Sequence, residues 1–217
     1  MSQAEHGVYT GTLYIIAAPS GAGKTSLVKS LIESDQDIVV SISHTTRAKR
    51  PEEEDGINYY FVNRQEFEAL ITRNAFLEYA EVFSNLYGTS REWVETQLKQ
   101  GVDVILEIDW QGAQKVKKQF SKYVSIFIIP PTRDSLRHRL VKRAQDNEEI
   151  IEQRMVRAAA ELSHYHEFDY LVVNDVFEHA LFDLRTIIRA QRLLLQKQQH
   201  KQRYLLQNLL AEDKKNV

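Results

Sequence analysis

No cysteine occurs among the 217 residues. Disulfides, thiolate catalysis and cysteine-ligated zinc are therefore excluded, and thiol usage says nothing about the redox compartment. No apolar run approaches the ~20 residues that a membrane helix needs. The strongly apolar stretches at 13–18 and 124–129 are of strand length. No charge of one sign dominates: 28 Lys and Arg stand against 30 Asp and Glu, for a formal net charge of −2. No overall basic field therefore points to nucleic acid. The opening MSQAEHGVYT lacks a basic segment followed by an apolar one, so it does not read as a secretory signal. A cytoplasmic protein with no membrane partner is expected. Seven histidines are present, but His164 and His166, two apart, point away from each other on a helix. With no cysteine and no third ligand nearby, zinc is not expected.

What is present is ordinary for a globular chain: 43% apolar and 27% charged residues. No internal repeat is visible. A strand is predicted over Thr12 to Ala17, a helix over Lys24 to Glu33 with Leu27, Val28, Leu31 and Ile32 on one face, and a strand over Ile38 to Ile42. The texture then turns polar. Asp55-Gly56 predicts a hairpin turn into an alternating strand, Asn58 to Val62. Asn63 is placed to cap a short helix, the stretch from Glu78 to Arg91 reads as short strands, and a helix should end at Gly101. Strand-like VDVILEID, VSIFII and YLVVN follow, separated by helical stretches, with a long polar helix from about Val176. Alternating strands and helices with apolar strands predict an α/β fold, a parallel sheet covered on both faces. The region from Thr45 to Arg91 interrupts it as an inserted subdomain would. The leucines of the tail, 194, 195, 205, 206, 209 and 210, could dock on the core or on a second subunit of a homo-oligomer.

The turn after the first strand reads Ala18-Pro-Ser-Gly-Ala-Gly23-Lys24-Thr25. It follows the P-loop pattern G-x-x-x-x-G-K-[ST], with Ala18 in place of the first glycine. Backbone N–H groups of Ser20, Gly21, Ala22 and Gly23, together with a helix N-terminus carrying Ser26, would converge on one anion. Lys24 would neutralise β- and γ-phosphate oxygens, and Thr25 would offer its hydroxyl to Mg²⁺. This loop predicts binding of a nucleoside triphosphate such as ATP but names no reaction.

The interrupting region narrows the choice. SHTTRAKR places Ser43, Arg47 and Arg50 within eight residues, followed by Tyr59; these donors suit an anionic group. FLEYAEVFSNLYGTSR supplies Glu78, Tyr87 and Thr89. A carboxylate can accept two parallel N–H donors, and guanine presents such a pair where adenine does not. With these segments, PSGAGKTSL, LEIDWQGAQ, IFIIPPT, RAQDNEEIIEQRM and DYLVVND occur in order over roughly residues 11 to 190. By them the chain resembles the guanylate kinases.

The resemblance implies a P-loop core (1–44, 92–132 and 158–190), a small α+β GMP-binding insertion (45–91), a helical lid (133–157) and a helical tail (191–217). It implies transfer of a phosphoryl group from Mg²⁺-bound ATP to GMP. Ser43, Glu78 and Thr89 would hold guanine; Arg47, Arg50, Tyr59 and Tyr87 its phosphate; Asp109 would lie near the base edge. Lys24 with lid arginines Arg139, Arg143 and Arg154 would stabilise the moving group, and a closing lid would exclude water. Arg157 receives no such role. Two departures stand out: Ala144 replaces a glycine after Arg143, and Val176 replaces a frequent second acidic residue. Asn174 is left to lie near the adenine or in a backbone network. Two rival readings remain, a kinase for another acceptor and a non-catalytic relative that binds phosphorylated peptides. The latter would need a damaged loop, and Gly23, Lys24 and Thr25 are intact.

Overall fold

The computed structural model describes residues 11–82, 84–143 and 148–211; of Val82 and Arg143 the backbone alone is described. The chain runs β1 (Leu13–Ala17), α1 (Lys24–Glu33), β2 (Ile38–Val40), β3 (His44–Thr45), β4 (Tyr60–Phe61), α2 (Arg64–Thr72), β5 (Phe76–Val82) and β6 (Asn85–Ser90). It continues α3 (Arg91–Lys99), β7 (Asp103–Glu107), α4 (Trp110–Gln119), β8 (Val124–Ile129), α5 (Arg133–Arg143) and α6 (Glu148–Leu162). After a 3₁₀ turn at Tyr165–Glu167 come β9 (Tyr170–Val173), α7 (Phe177–Arg192), α8 (Leu195–Lys201) and α9 (Arg203–Leu210).

The main sheet has the order β2-β7-β1-β8-β9, and every pairing in it is parallel. The period-two alternation of side chains explains its two covered faces. Tyr14 and Ile16 of β1 join Ile105 and Ile126 in a cluster with α1 and α7. Leu13 and Ile15 point the other way, joining Val104 and Leu106 against α3 and α4. Because the strands are parallel, Ala17, Val40, Glu107, Ile129 and Val173 all end at one edge, where the crevice of such a sheet opens.

A second sheet, β4-β3-β6-β5, lies between β2 and β7 in sequence. Its small core is Phe67, Phe76 and Leu86, with Phe67 supplied by α2. Asn63 caps that helix: its Oδ1 accepts the Glu66 N–H at 2.8 Å, and Glu66 accepts the Asn63 N–H in return. Two local expectations need correction. The Asp55-Gly56 turn exists, with Gly56 at φ +76°, but it opens no hairpin. It leads into β4, which is only two residues long and pairs parallel with β3. The residues from Glu78 onward instead belong to one antiparallel hairpin, β5 with β6.

The long helix expected from Val176 is broken as well. Its apolar face is buried through Ala180, Leu181, Leu184 and Ile188. Beyond that no core remains to hold a helix straight, and the backbone at Leu194 is extended. The tail returns to the core through two cations. Arg192 Nε donates to Asp103 Oδ2 at 2.7 Å, and its Nη1 donates to Asp35 at 2.6 Å. Lys197 donates to the Thr12 hydroxyl. The side chains of α9 face outward, with Leu210 79% exposed. Among the described residues no helix is long and apolar enough to cross a membrane.

Asp103 is buried and accepts the Thr12 N–H at 2.6 Å as well as the Arg192 bond. Truncating Arg192 would leave that carboxylate without its cation. Arg192→Ala is expected to lower unfolding stability by about 2 kcal/mol, less than for a fully buried pair because Arg192 is partly exposed. Denaturant unfolding measures this, and an unchanged midpoint would contradict it.

Candidate active site

The loop between β1 and α1 takes its shape from two glycines in the left-handed region, Gly21 at φ +87° and Gly23 at φ +94°. Gly23 precedes α1 without a side-chain cap, and the first turn of that helix holds no acidic residue. Its leading N–H groups therefore present the positive end of the helix to the loop. Around them lies a cleft of about 540 Å³, lined by Ala18 to Gly21, by Gly23 to Ser26, and by Arg139, Lys142 and Glu161. Ala22, expected among the anion donors, is instead buried, with its N–H donating to the Pro19 carbonyl at 3.1 Å. The cleft is ample for a nucleotide's phosphates.

Lys24 reaches across the sheet edge, donating from Nζ to the Ile108 carbonyl at 3.2 Å. Burial pulls its pKa below the ordinary lysine value, against the opposing pull of Glu107, Asp109 and Glu161. The Thr25 hydroxyl donates to Glu107 Oε1 at 2.5 Å, the length of a charge-assisted bond. These two oxygens, at the loop and at the end of β7, form a donor set of the kind Mg²⁺ takes alongside water and phosphate.

The loop is supported from beneath. A Cβ on Gly21 would meet the Leu136 and Leu140 side chains of α5 at 3.0 Å, and one on Gly23 would stand 2.3 Å from Asn174 Nδ2. That same nitrogen donates to the Ala22 carbonyl at 2.7 Å. Asn174 thus sits in the backbone network. Arg139 donates to the Asn174 carbonyl at 2.8 Å and to the Ala22 carbonyl at 3.3 Å. It lines the cleft while tying the loop carbonyl of Ala22 to that of Asn174 after β9. Arg143 ends α5, but its side chain and Ala144 lie outside the described residues. Arg154 is half-buried on α6 and Arg157 is exposed there. The charge of Arg157 acts on Glu161.

On the second sheet, the β5–β6 register sets Glu78 opposite Thr89. The Thr89 hydroxyl donates to Glu78 Oε1 at 2.7 Å, and both residues are buried. Burial holds the Glu78 carboxyl above the usual carboxylate range; the Thr89 bond opposes this, and Asp109 adds to it. Asp109 caps α4, with Oδ1 accepting the Gly112 N–H at 2.7 Å. A Cβ on Gly112 would come within 3.3 Å of Glu78 Oε2 and 3.4 Å of Asp109 Oδ1. Glu78, Thr89 and Asp109 therefore share one neighbourhood.

A second group gathers around Arg47. Its guanidinium donates to Glu53 Oε1 at 2.7 Å and lies 5.4 Å from the centre of the Tyr59 ring. Tyr87 bonds to Arg47, and its ring packs 5.9 Å from that of Tyr59. Arg50 is exposed, and its backbone N–H donates to Glu53 Oε2 at 2.8 Å. Ser43, half-buried, accepts the Tyr60 N–H on its carbonyl, and the Tyr60 ring packs on His44.

Sequence reasoning missed several participants. Glu53 lies six residues after Arg47 and three after Arg50, a spacing that could have flagged a shared partner. Lys142 and Glu161 gave no local signal, and Gly112 looked like any helix residue. Trp110 stacks on His164 at 3.4 Å between ring centres. His164 Nδ1 bonds Glu167 at 2.6 Å, and Gln114 donates to the same carboxylate at 2.7 Å. This clamp fixes the end of α6 against α4.

A sequence profile described as "Guanylate kinase" matches residues 10–191. The chain is similar to a guanylate kinase of Saccharophagus degradans, 56% identical over 202 residues that cover 93% of this chain and 98% of that one. It is 55% identical to a guanylate kinase of Salmonella typhimurium over 204 residues, covering 93% and 99%. Among solved structures, the guanylate kinase of Anaplasma phagocytophilum superposes with a TM-score of 0.71 at 36% identity, covering 93% of this chain and 97% of that one.

The burial of Glu78 gives a signed expectation. With its pKa raised in the folded state, the native protein holds a proton that the unfolded chain has released. Stability contributed by this site is therefore present at low pH and is lost as pH rises through the folded pKa. Glu78→Gln keeps an acceptor for Thr89 without the charge. Its denaturation midpoint should exceed that of the parent at pH 8, and the difference should close toward the ordinary carboxylate range. A midpoint at pH 8 below the parent's would contradict burial as the dominant effect.

Proposed function

The chain belongs to the guanylate kinase family, and we propose that it transfers the γ-phosphoryl group of ATP to GMP, giving ADP and GDP. The observation that carries this reading is the short segment after β7. Glu107 accepts from Thr25, Ile108 accepts from Lys24, and Asp109 caps a helix beside Glu78. One rigid strand end thus joins a triphosphate cradle to a pocket whose buried carboxylate suits the N1–H and N2 amino group of guanine.

The chemistry follows from charge. Guanine would bind through Glu78, Thr89, Ser43 and Asp109, and its phosphate through Arg47, Arg50, Tyr59 and Tyr87. An oxygen of that phosphate attacks the γ-phosphorus of ATP, the bond to the β–γ bridging oxygen breaks, and ADP leaves. The acceptor is already ionised near neutral pH, so no general base is needed. Lys24 and the loop N–H groups hold the donor phosphates, while Arg139, Arg143 and Arg154 would stabilise the charge that moves. Mg²⁺, which Thr25 and Glu107 would hold, would supply charge neutralisation to the donor phosphates. The helices α5 and α6 would act as the lid that keeps water from the γ-phosphate.

An assay coupled to ADP and GDP formation tests the reading, run with GMP, dGMP, AMP, UMP and CMP as acceptors. GDP formation from ATP and GMP is expected; its absence would favour a phosphopeptide-binding relative. Glu78→Ala should reduce kcat/KM for GMP by at least about 10-fold, leaving KM for ATP largely unchanged. An equal loss for both substrates would contradict the assignment. Arg154→Ala should lower kcat by about 100-fold. If KM for ATP alone moved, Arg154 would have no part in the transfer step.

A further inference from the structure

Glu161 stands in the last turn of α6, where the helix dipole disfavours a carboxylate and where no basic residue of that turn compensates it. Its partners lie elsewhere. Oε2 accepts the N–H of Ser20 at 3.1 Å, across 141 residues of sequence, and the carboxylate lines the phosphate cleft with Lys24 and Arg139. Burial and Asp109 push its pKa up, while the Ser20 bond, Lys24 and Arg157 oppose them. The Ser20 N–H belongs to the row of loop donors that a phosphate uses. One N–H cannot serve a carboxylate and a phosphate oxygen at full strength, and the two anions repel each other. The stack of Trp110 on His164 and the bond of His164 to Glu167 hold the far end of α6 at α4, so a shift at Glu161 turns the helix about that end and displaces its earlier turns. Arg154 lies seven residues earlier, two turns along the same helix.

We propose that Glu161 is a positioning residue that competes with the triphosphate for the Ser20 N–H, so that arrival of the donor's terminal phosphate is coupled to movement of α6 and of the arginine it carries. The proposal rests on reading the cleft as the triphosphate site, and it names the residue that gates that site. Its consequence is unusual for an acidic residue in a binding cleft. Neutralising it should improve donor binding without improving turnover.

The test compares the full-length protein with Glu161→Gln by calorimetric titration with inorganic tripolyphosphate and with Mg·ATP, followed by steady-state kinetics. Glu161→Gln should bind both ligands about fivefold or more tightly. KM for ATP should fall, KM for GMP should stay, and kcat should not rise. Glu161→Asp, one methylene too short to keep the Ser20 bond, should show the same direction with a smaller effect. Its thermal midpoint controls for folding should the glutamine variant prove unstable. Unchanged or weaker binding by both variants would overturn the proposal, since a purely structural contact would loosen the loop when removed. If tripolyphosphate bound neither parent nor variants, the reading of the cleft would fail and the proposal with it.

Discussion

The carbonyl of Ala22 is the point on which the site turns. Left-handed residues on either side, Gly21 and Gly23, aim it into the protein, where Asn174 Nδ2 and Arg139 Nη1 meet it. With this carbonyl turned inward, the Ser20 N–H stays on the cleft side, where Glu161 accepts it, which is the polarity an anion requires. The same two donors bind the loop to the end of β9 and to α5. The cradle is therefore fixed by three separated parts of the chain, and Lys24 and Thr25 start α1 in a set direction. Loosening this carbonyl would let the loop rotate its dipoles away from the cleft, whatever the state of Lys24.

Around that fixed loop, cations and buried polar groups are held against carboxylates. Lys24 feels Glu107, Asp109 and Glu161; Arg47 is paired with Glu53; Glu78 rests on the Thr89 hydroxyl. Binding a phosphate in such a site is an exchange of one anionic partner for another. The cations need not be stripped of water anew, and their orientation is already set. The arrangement trades affinity for preorganisation: carboxylates hold the cations in place, and they also compete with the ligand. Glu78 illustrates the expense of function, since a carboxylate buried on the second sheet destabilises the fold it sits in.

Much of the frame was legible because its causes are local. The P-loop announces itself through glycines that a tight turn demands and through the residues that follow them. The α1 face at Leu27, Val28 and Leu31 follows helical spacing. The strands VDVILE and VSIFII are apolar throughout because both faces are covered. The misreadings had non-local causes. Asp55-Gly56 suggested a hairpin, but β4 found its partner in β3, 16 positions back at His44↔Tyr60. The long terminal helix broke because packing against the sheet ended at Ile188, which no periodicity reveals. Glu161 and Asn174 owe their places to contacts 141 and 152 residues away. Their neighbours in sequence carry no trace of that. Gly112 matters only through what a side chain there would strike.

The pairing of β1 has a bearing on how the molecule comes into being. Both strands that flank β1 arise late: Leu13 pairs with Val104, and Tyr14 with Val124. A ribosome adding about 5–20 residues per second extends the chain N-terminus first. This strand, buried along its whole length in the finished fold, therefore emerges seconds before either neighbour exists to cover it. The second sheet, with its own short-range hairpin and small core, can close during that interval. Such non-local pairing slows folding and lengthens exposure of the nascent strand, which makes LYIIA the segment where chaperone binding or aggregation would begin.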